Sequence, residues 1–199
     1  MDRNIKDLLT QFMKMVGEGS VVVYNEFSLQ HELGIYLRQC LPSYNVQFER
    51  NAKFFGIKKG ETIKHEIDIV IFNDSERYAI ELKYPLNGQY PELMYAFVKD
   101  IKFMEDLNRF GFKKTYCLIL VEDKNYYLGK NKKGIYAHFR CGKAVKGTIS
   151  KPTGKGKNSD SISIEGEYDI SWLYCISNDN KTDRRYCLVE VPRHEEQHA

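Results

Sequence analysis

Two β-rich runs separated by four polar residues constrain the fold of this chain more than any other feature. His65-Glu66-Ile67-Asp68-Ile69-Val70-Ile71-Phe72 is followed by Asn73-Asp74-Ser75-Glu76 and then by Arg77-Tyr78-Ala79-Ile80-Glu81-Leu82-Lys83. β-Branched and aromatic residues on both sides of a short polar segment predict a hairpin. A loop of residues 73–76 pairs Phe72 with Arg77 and sets Asp68 opposite Glu81. Directly opposed side chains have Cβ atoms ~5 Å apart, where like charges repel. A divalent cation between the two carboxylates removes that repulsion. Lys83, two residues beyond Glu81, points to the same face. Alternation puts Ile67, Ile69 and Ile71 on one face with Tyr78, Ile80 and Leu82, and gathers Glu66, Asp68, Glu81 and Lys83 at one end of the other. A one-residue slip would turn the isoleucine row outward, so the register is well specified. A solvated hairpin face with an ordinary Glu66–Lys83 ion pair is the alternative reading of the same residues.

The surrounding pattern is α/β. Ile5, Leu8, Leu9, Phe12 and Val16 predict a helix over 2–16, closed by Gly17-Glu18-Gly19. Ser28 as N-cap predicts a second helix over about 29–41, stopped by Pro42, with Leu29, Leu33, Tyr36, Leu37 and Cys40 as its stripe. Glu32 lies on the edge of that stripe, where an acid either points toward the sheet or simply favours the first turn of the helix. Residues 44–49 alternate as a strand, and 51–61 form a loop or a poor strand. After the hairpin, a turn-rich connection leads to Pro91, which suits the first position of a helix over 91–109 with Met94, Phe97, Val98, Ile101 and Met104 on one face. Thr115 to Val121 is a near-continuous apolar run, as expected of a central strand covered on both faces. Strand, helix and strand then form a βαβ unit with a right-handed crossover. Residues 142–160, rich in Gly, Lys, Ser and Thr, predict a mobile segment. Residues 168–175 and 185–191 predict two strands that extend the sheet, and 194–199 a frayed end. The expectation is a single domain over 1–199, a mixed central sheet flanked by helices, with its core in about 28–121 and C-terminal strands in 168–191.

No apolar run is long enough for a transmembrane helix, and Met1-Asp2-Arg3-Asn4 lacks the charged-then-apolar layout of a secretory leader. Five scattered cysteines without CxxC spacing indicate neither a zinc site nor a disulfide framework. Cys117 and Cys187 fall inside apolar strands and are predicted to be buried thiols. A reducing, cytoplasmic setting with no membrane partner is expected. Net charge is only +3, but Lys124 to Lys157 holds ten Lys or Arg and no Asp or Glu, while the rest of the chain holds 20 basic and 27 acidic residues. A 34-residue block of charge +10 on an acidic body suits a polyanion; a solvated loop is the plainer alternative. Lys130, Lys132, Lys133, Arg140, Lys143 and Lys146 are the candidate phosphate contacts. Tyr126, Tyr127, Tyr136 and Phe139 are interleaved with them and suit base stacking, with simple packing the alternative for Tyr136 and Phe139. Gln89 is a further candidate contact, with an ordinary turn role as its alternative.

The order of a helix bearing an acid, a hairpin bearing Asp and then Glu-x-Lys, a helix and a buried strand resembles the PD-(D/E)XK nuclease superfamily, with its restriction-endonuclease-like fold. The matching residues are Glu32, Asp68, Glu81, Leu82 and Lys83. Glu81-Leu82-Lys83-Tyr84-Pro85 through Gly88-Gln89-Tyr90-Pro91 also resembles bacterial and phage members of that superfamily. Ile67 stands where the namesake proline would precede Asp68. The resemblance implies a Mg²⁺-dependent phosphodiesterase in which Mn²⁺ substitutes; DNA is the favoured nucleic-acid partner, with RNA the alternative. It also implies that Asp68, Glu81 and the Leu82 backbone carbonyl hold the metal, and that Lys83 positions the attacking water or stabilises transition-state charge. Glu32 would hold a second metal or a water. A homodimer is one way for such an enzyme to cut both strands of a duplex. His31, His65 and His138 read as structural or surface histidines. A non-catalytic binding module on a degenerate nuclease fold is the competing function.

Overall fold

A computed structural model describes residues 4–155, 157, 159–175 and 183–193, so the predicted frayed end at 194–199 and the first three residues lie outside it. Strands β2 (Glu66–Phe72) and β3 (Arg77–Lys83) form the predicted hairpin, pairing antiparallel from Ile69 against Ile80 to Phe72 against Arg77. Asn73 sets the turn: its Oδ1 accepts the backbone N–H groups of Ser75 and Glu76 at 2.9 Å. β1 (Asn45–Asn51) lies antiparallel to β2, β4 (Lys114–Val121) runs parallel to β3, and β8 (Arg185–Pro192) is antiparallel to β4. With the short β7 (Leu173–Tyr174) beside β8, they make a six-stranded mixed sheet in the order β1-β2-β3-β4-β8-β7. The late strands thus do extend the sheet.

Helices cover both faces. α1 (Ile5–Gly17) and α2 (Glu26–Cys40) pack on one, where Leu9, Phe12, Leu33 and Leu37 meet Ile69, Ile71, Ile80 and Leu82. The long α3 (Tyr90–Arg109) packs on the other through Met94, Phe97, Val98, Ile101 and Met104. β4 serves both layers: Tyr116, Leu118 and Leu120 face the α1/α2 side, and Cys117, Ile119 and Val121 face α3. This double covering is why its sequence carries no polar alternation. Cys117 and Cys187 are buried, and none of the five cysteines is in a disulfide among the described residues. No helix among the described residues is long and apolar enough to cross a membrane.

Five sequence expectations are corrected. α2 begins at Glu26 because Asn25, not Ser28, is its N-cap: Asn25 Oδ1 accepts the Ser28 N–H at 2.7 Å while Ser28 Oγ accepts the Asn25 N–H at 3.0 Å. This reciprocal pair moves Ser28 to the third helical position. Residues 51–61 contain a short 3-10 turn, Ala52–Phe55, rather than loop alone. The segment expected to be mobile holds β5 (Val145–Ser150), which pairs with β6 (Ser161–Tyr168) in a two-stranded ribbon against α3. Its alternation is hidden because Gly147, at φ 61°, accompanies a register shift next to Val145. The strand predicted over 168–175 accordingly ends at Tyr168, leaving only Leu173–Tyr174 beyond it.

The fifth correction concerns Ile67, which packs with the α3 side together with Val70 and Ala79, not with Ile69 and Ile71. β2 is irregular at Asp68 on both edges. Opposite it on β1, Glu49 adopts a left-handed backbone at φ 46°. Gln30 Nε2, from α2, donates to the Asp68 carbonyl at 2.8 Å and to Glu49 Oε1 at 2.5 Å. On the β3 edge the regular ladder stops at Ile69–Ile80, and side chains take over. A side chain that replaces a strand's ladder bonds lets the backbone turn locally, and the face preceding the turn is exchanged.

Candidate functional site

Where the ladder stops, the two motif acids lock the strands together. Asp68 N–H donates to Glu81 Oε1 at 3.3 Å, and Leu82 N–H donates to Asp68 Oδ2 at 2.7 Å. Asp68 and Glu81 are therefore held side by side, as the register requires. Asp100, from α3, joins them. Asp100 is 2 % exposed, between Phe97 and Ile101 on the buried face of α3.

Two ammonium groups thread these acids. Lys64, in the loop before β2, donates to Glu81 Oε2 and, at 2.9 Å, to Asp100 Oδ1. Lys83 Nζ donates to the Leu82 carbonyl at 3.0 Å and lies 3.3 Å from Asp100 Oδ2 and 3.8 Å from Glu26 Oε1. Glu26, in the first turn of α2, also accepts the Tyr84 N–H at 2.9 Å. Among the described residues, the four carboxyl groups of Asp68, Glu81, Asp100 and Glu26 thus share two ammonium groups, Lys64 and Lys83.

That imbalance shows in the proton affinities. Burial pushes the Asp68 carboxyl up to about 6, against the pull of the Leu82 N–H and the Lys83 charge. Burial, then Asp68 and Asp100, raise Glu81 well above the ordinary carboxylate range. Burial opposes the charge on Lys64 and on Lys83, yet the surrounding acids, Asp100 foremost, overcome it and hold both protons more firmly than usual. Burial is the first cause on the two acids; the crowding of carboxylates adds to it and, on the ammonium groups, outweighs it.

The donor set of carboxylates and a backbone carbonyl suits a hard divalent cation. Asp100 Oδ2, buried, accepts no hydrogen bond. Among the described residues, however, no three His, Cys, Asp or Glu side chains already converge as a metal cage. Ammonium groups stand on Glu81, Asp100 and the Leu82 carbonyl instead.

The sequence expectations divide at this point. Asp68, Glu81, Leu82 and Lys83 come together. Glu32 stands apart, with a carboxylate 40 % exposed and 3.6 Å from His31 Nδ1; the α2 acid that touches Lys83 is Glu26. The alternative Glu66–Lys83 pair is not formed, since Glu66 is exposed beside Asn51 while Lys83 turns to Asp100. Sequence reasoning passed over Asp100, although a charged residue between Phe97 and Ile101 on an apolar stripe is a visible signal. Nothing local marks Lys64 or Gln30.

The basic segment is more ordered than expected. Lys133, Lys143 and Lys146 line one cleft of about 580 Å³, with Asn131, Thr148 and Ser150 and without any Asp or Glu. Lys146 is otherwise paired only with exposed Glu167 at 3.0 Å. Lys130 and Lys132 are exposed nearby in the chain, and Gln89, also exposed, makes no side-chain cap for α3. A second cleft, about 400 Å³, shares Pro152 and Thr153 with the first and reaches Lys99 and Ile63, the neighbour of Lys64. Tyr126, Tyr127 and Phe139 are buried in the α3 layer, so the expected stacking role for the two tyrosines is corrected. Tyr136 lies under the Arg140 guanidinium at 4.2 Å.

Arg140 is likewise not free for phosphate. Its Nε donates to the Asn125 carbonyl at 3.1 Å, Nη2 to the same carbonyl, and Nη1 to that of Asn131 at 2.9 Å. Gly129 makes room for it: a Cβ there would lie 2.6 Å from Nη1. Arg140→Ala is expected to lower stability by ~2 kcal/mol in urea unfolding, the scale of lost charge-assisted hydrogen bonds.

Comparison of the chain with protein-family models, curated proteins and solved structures gave no match. The meaning of the site therefore rests on its own residues.

Proposed function

We propose that this protein is a divalent-cation-dependent nuclease of the restriction-endonuclease-like type, hydrolysing phosphodiester bonds in DNA. The observation that carries the reading is the reciprocal lock between Asp68 and Glu81, which presents two acids and the Leu82 carbonyl at the open end of the hairpin. A bound Mg²⁺, or Mn²⁺ in its place, supplies positive charge at the scissile phosphate. Asp68, Glu81 and the Leu82 carbonyl would hold it. Lys83, steered by Asp100 and Glu26, is placed to neutralise charge that builds on the phosphate oxygens. Asp100 and Glu26 act through Lys83 and are positioning residues. The acid-free lysine cleft supplies phosphate contacts along the strand.

The test is incubation with single-stranded DNA, duplex DNA and RNA of equal length, in Mg²⁺, Mn²⁺ or EDTA. DNA is expected to be cleaved only with metal; cleavage that persists in EDTA, or none in any arm, overturns the reading. Replacing Lys133, Lys143 and Lys146 together by alanine is expected to reduce the slope of log affinity against log salt by roughly two to three. An unchanged slope would remove the cleft from the DNA path.

One observation favours a non-catalytic binding module instead. Lys64 and Lys83 already supply the acids with partners. Calorimetry with Mn²⁺ separates the two readings, because a scaffold takes up no metal.

A further inference from the structure

Resting on the metal-dependent reading above, we infer that the Lys64 ammonium is the resident cation of the acidic cluster, and that it must leave before a divalent cation can enter. Lys64 lies outside the hairpin motif, in the loop between the Ala52–Phe55 turn and β2. Its Nζ bridges Glu81 and Asp100, acids contributed by β3 and α3. Glu81 is one of the residues the metal requires, and its side chain is fully buried. A second positive charge at that carboxylate would face an ammonium at contact distance, and like charges that close repel strongly where water is scarce.

The geometry also allows the ammonium to leave. The Lys64 side chain is 31 % exposed, in contrast to the 3 % of Asp100, so it has a path to solvent. Its backbone is held independently of the cluster: Thr62 Oγ1 donates to the Lys64 carbonyl at 2.5 Å, Ala52 N–H to the His65 carbonyl at 2.7 Å, and Ile63 N–H to Asp106 Oδ2 at 3.4 Å. The four-carbon stem can rotate about its own bonds without moving the strand, giving up the contact of Nζ with Phe103, whose ring centre is 5.6 Å away. Lys64 reaches only Oδ1 of Asp100; Oδ2 accepts no hydrogen bond and is left to the Lys83 ammonium at 3.3 Å, so the resident cation does not saturate the acids it sits among. The same loop borders the cleft that contains Ile63, Lys99 and Lys151. A phosphate arriving along that cleft would offer Lys64 a new anion as it departs.

The test is Mn²⁺ calorimetry on the wild type, Lys64→Met and Lys64→Arg. Lys64→Met is expected to bind Mn²⁺ ~10-fold or more tightly than the wild type, and Lys64→Arg no more tightly. Should Lys64→Met be too unstable without metal, the shift of its melting temperature on adding Mn²⁺ replaces the titration, and must exceed that of the wild type. Wild-type binding with no gain in Lys64→Met, by either measurement, overturns this inference and leaves the nuclease reading standing. Failure of both proteins to bind Mn²⁺ overturns the nuclease reading and this inference with it.

Discussion

Glu81→Gln is expected to abolish metal-dependent cleavage, by ~10²–10³-fold or more, while the protein stays folded. The glutamine keeps the volume of a side chain that has no solvent exposure, and its carbonyl oxygen can still accept the Asp68 N–H. What disappears is the charge. The fold tolerates that loss because burial and two neighbouring acids already push Glu81 toward its neutral form. Alanine is the poorer probe: removing one partner of a buried pair costs ~3–5 kcal/mol when the other is left stranded. Lys64 would keep only Asp100. Cleavage assays read against near-ultraviolet circular dichroism check the expectation. Undiminished cleavage by Glu81→Gln would strip Glu81 of its assigned role.

Asp68→Asn is expected to act oppositely on the two properties, ending cleavage while stabilising the protein at neutral pH. In the folded chain the Asp68 carboxyl is raised from 3.8 to about 6, chiefly by burial. The folded state therefore binds this proton more tightly than the unfolded one. Stability is fully present below about pH 4, falls as pH rises through the window from about 4 to 6, and stays reduced above it. The ionised acid costs at most ~3 kcal/mol at pH 8. Asparagine removes that cost and still offers an oxygen to the Leu82 N–H. Urea unfolding at pH 8 and pH 4 measures it: the gain appears at pH 8 and nearly vanishes at pH 4. A variant less stable than the wild type at pH 8 would show that the carboxylate is held by attraction rather than merely tolerated. An acid that weakens its own fold is the usual mark of a group kept for chemistry.

The hairpin, its register and the doubly covered β4 were legible in the sequence, because each rests on strong local periodicity. The side-by-side placement of Asp68 and Glu81 followed from that register. Ile67 was misplaced because the irregularity at Asp68 is produced by Gln30 and Glu49, residues distant in sequence that carry no local signature. β5 was hidden by glycine and lysine, since half of a ribbon laid on a helix needs few apolar residues. The acid delivered by α2 was assigned to Glu32 on the apolar stripe, whereas the helix lies on the sheet with its first turn beside Lys83 and delivers Glu26 from there. Lys64 was invisible for a different reason: a loop lysine looks solvated until tertiary packing shows which acids surround it.

Two of the polar anchorages of helix α3 stand five residues apart. Asp100 belongs to the acidic cluster, and five residues later the Glu105 carboxylate accepts the Glu165 and Gly166 N–H groups, at 3.0 and 2.7 Å, and the Tyr168 hydroxyl at 3.1 Å. The ribbon that walls the lysine cleft is thus bolted to the same rod that carries Asp100. Because each residue turns a helix by about 100°, adding one between Asp100 and Glu105 would swing the two anchorages out of phase. The stretch in between acts as a gauge, fixing the distance and the angle from the lysine wall to the acids, so that neither end shifts without carrying the other.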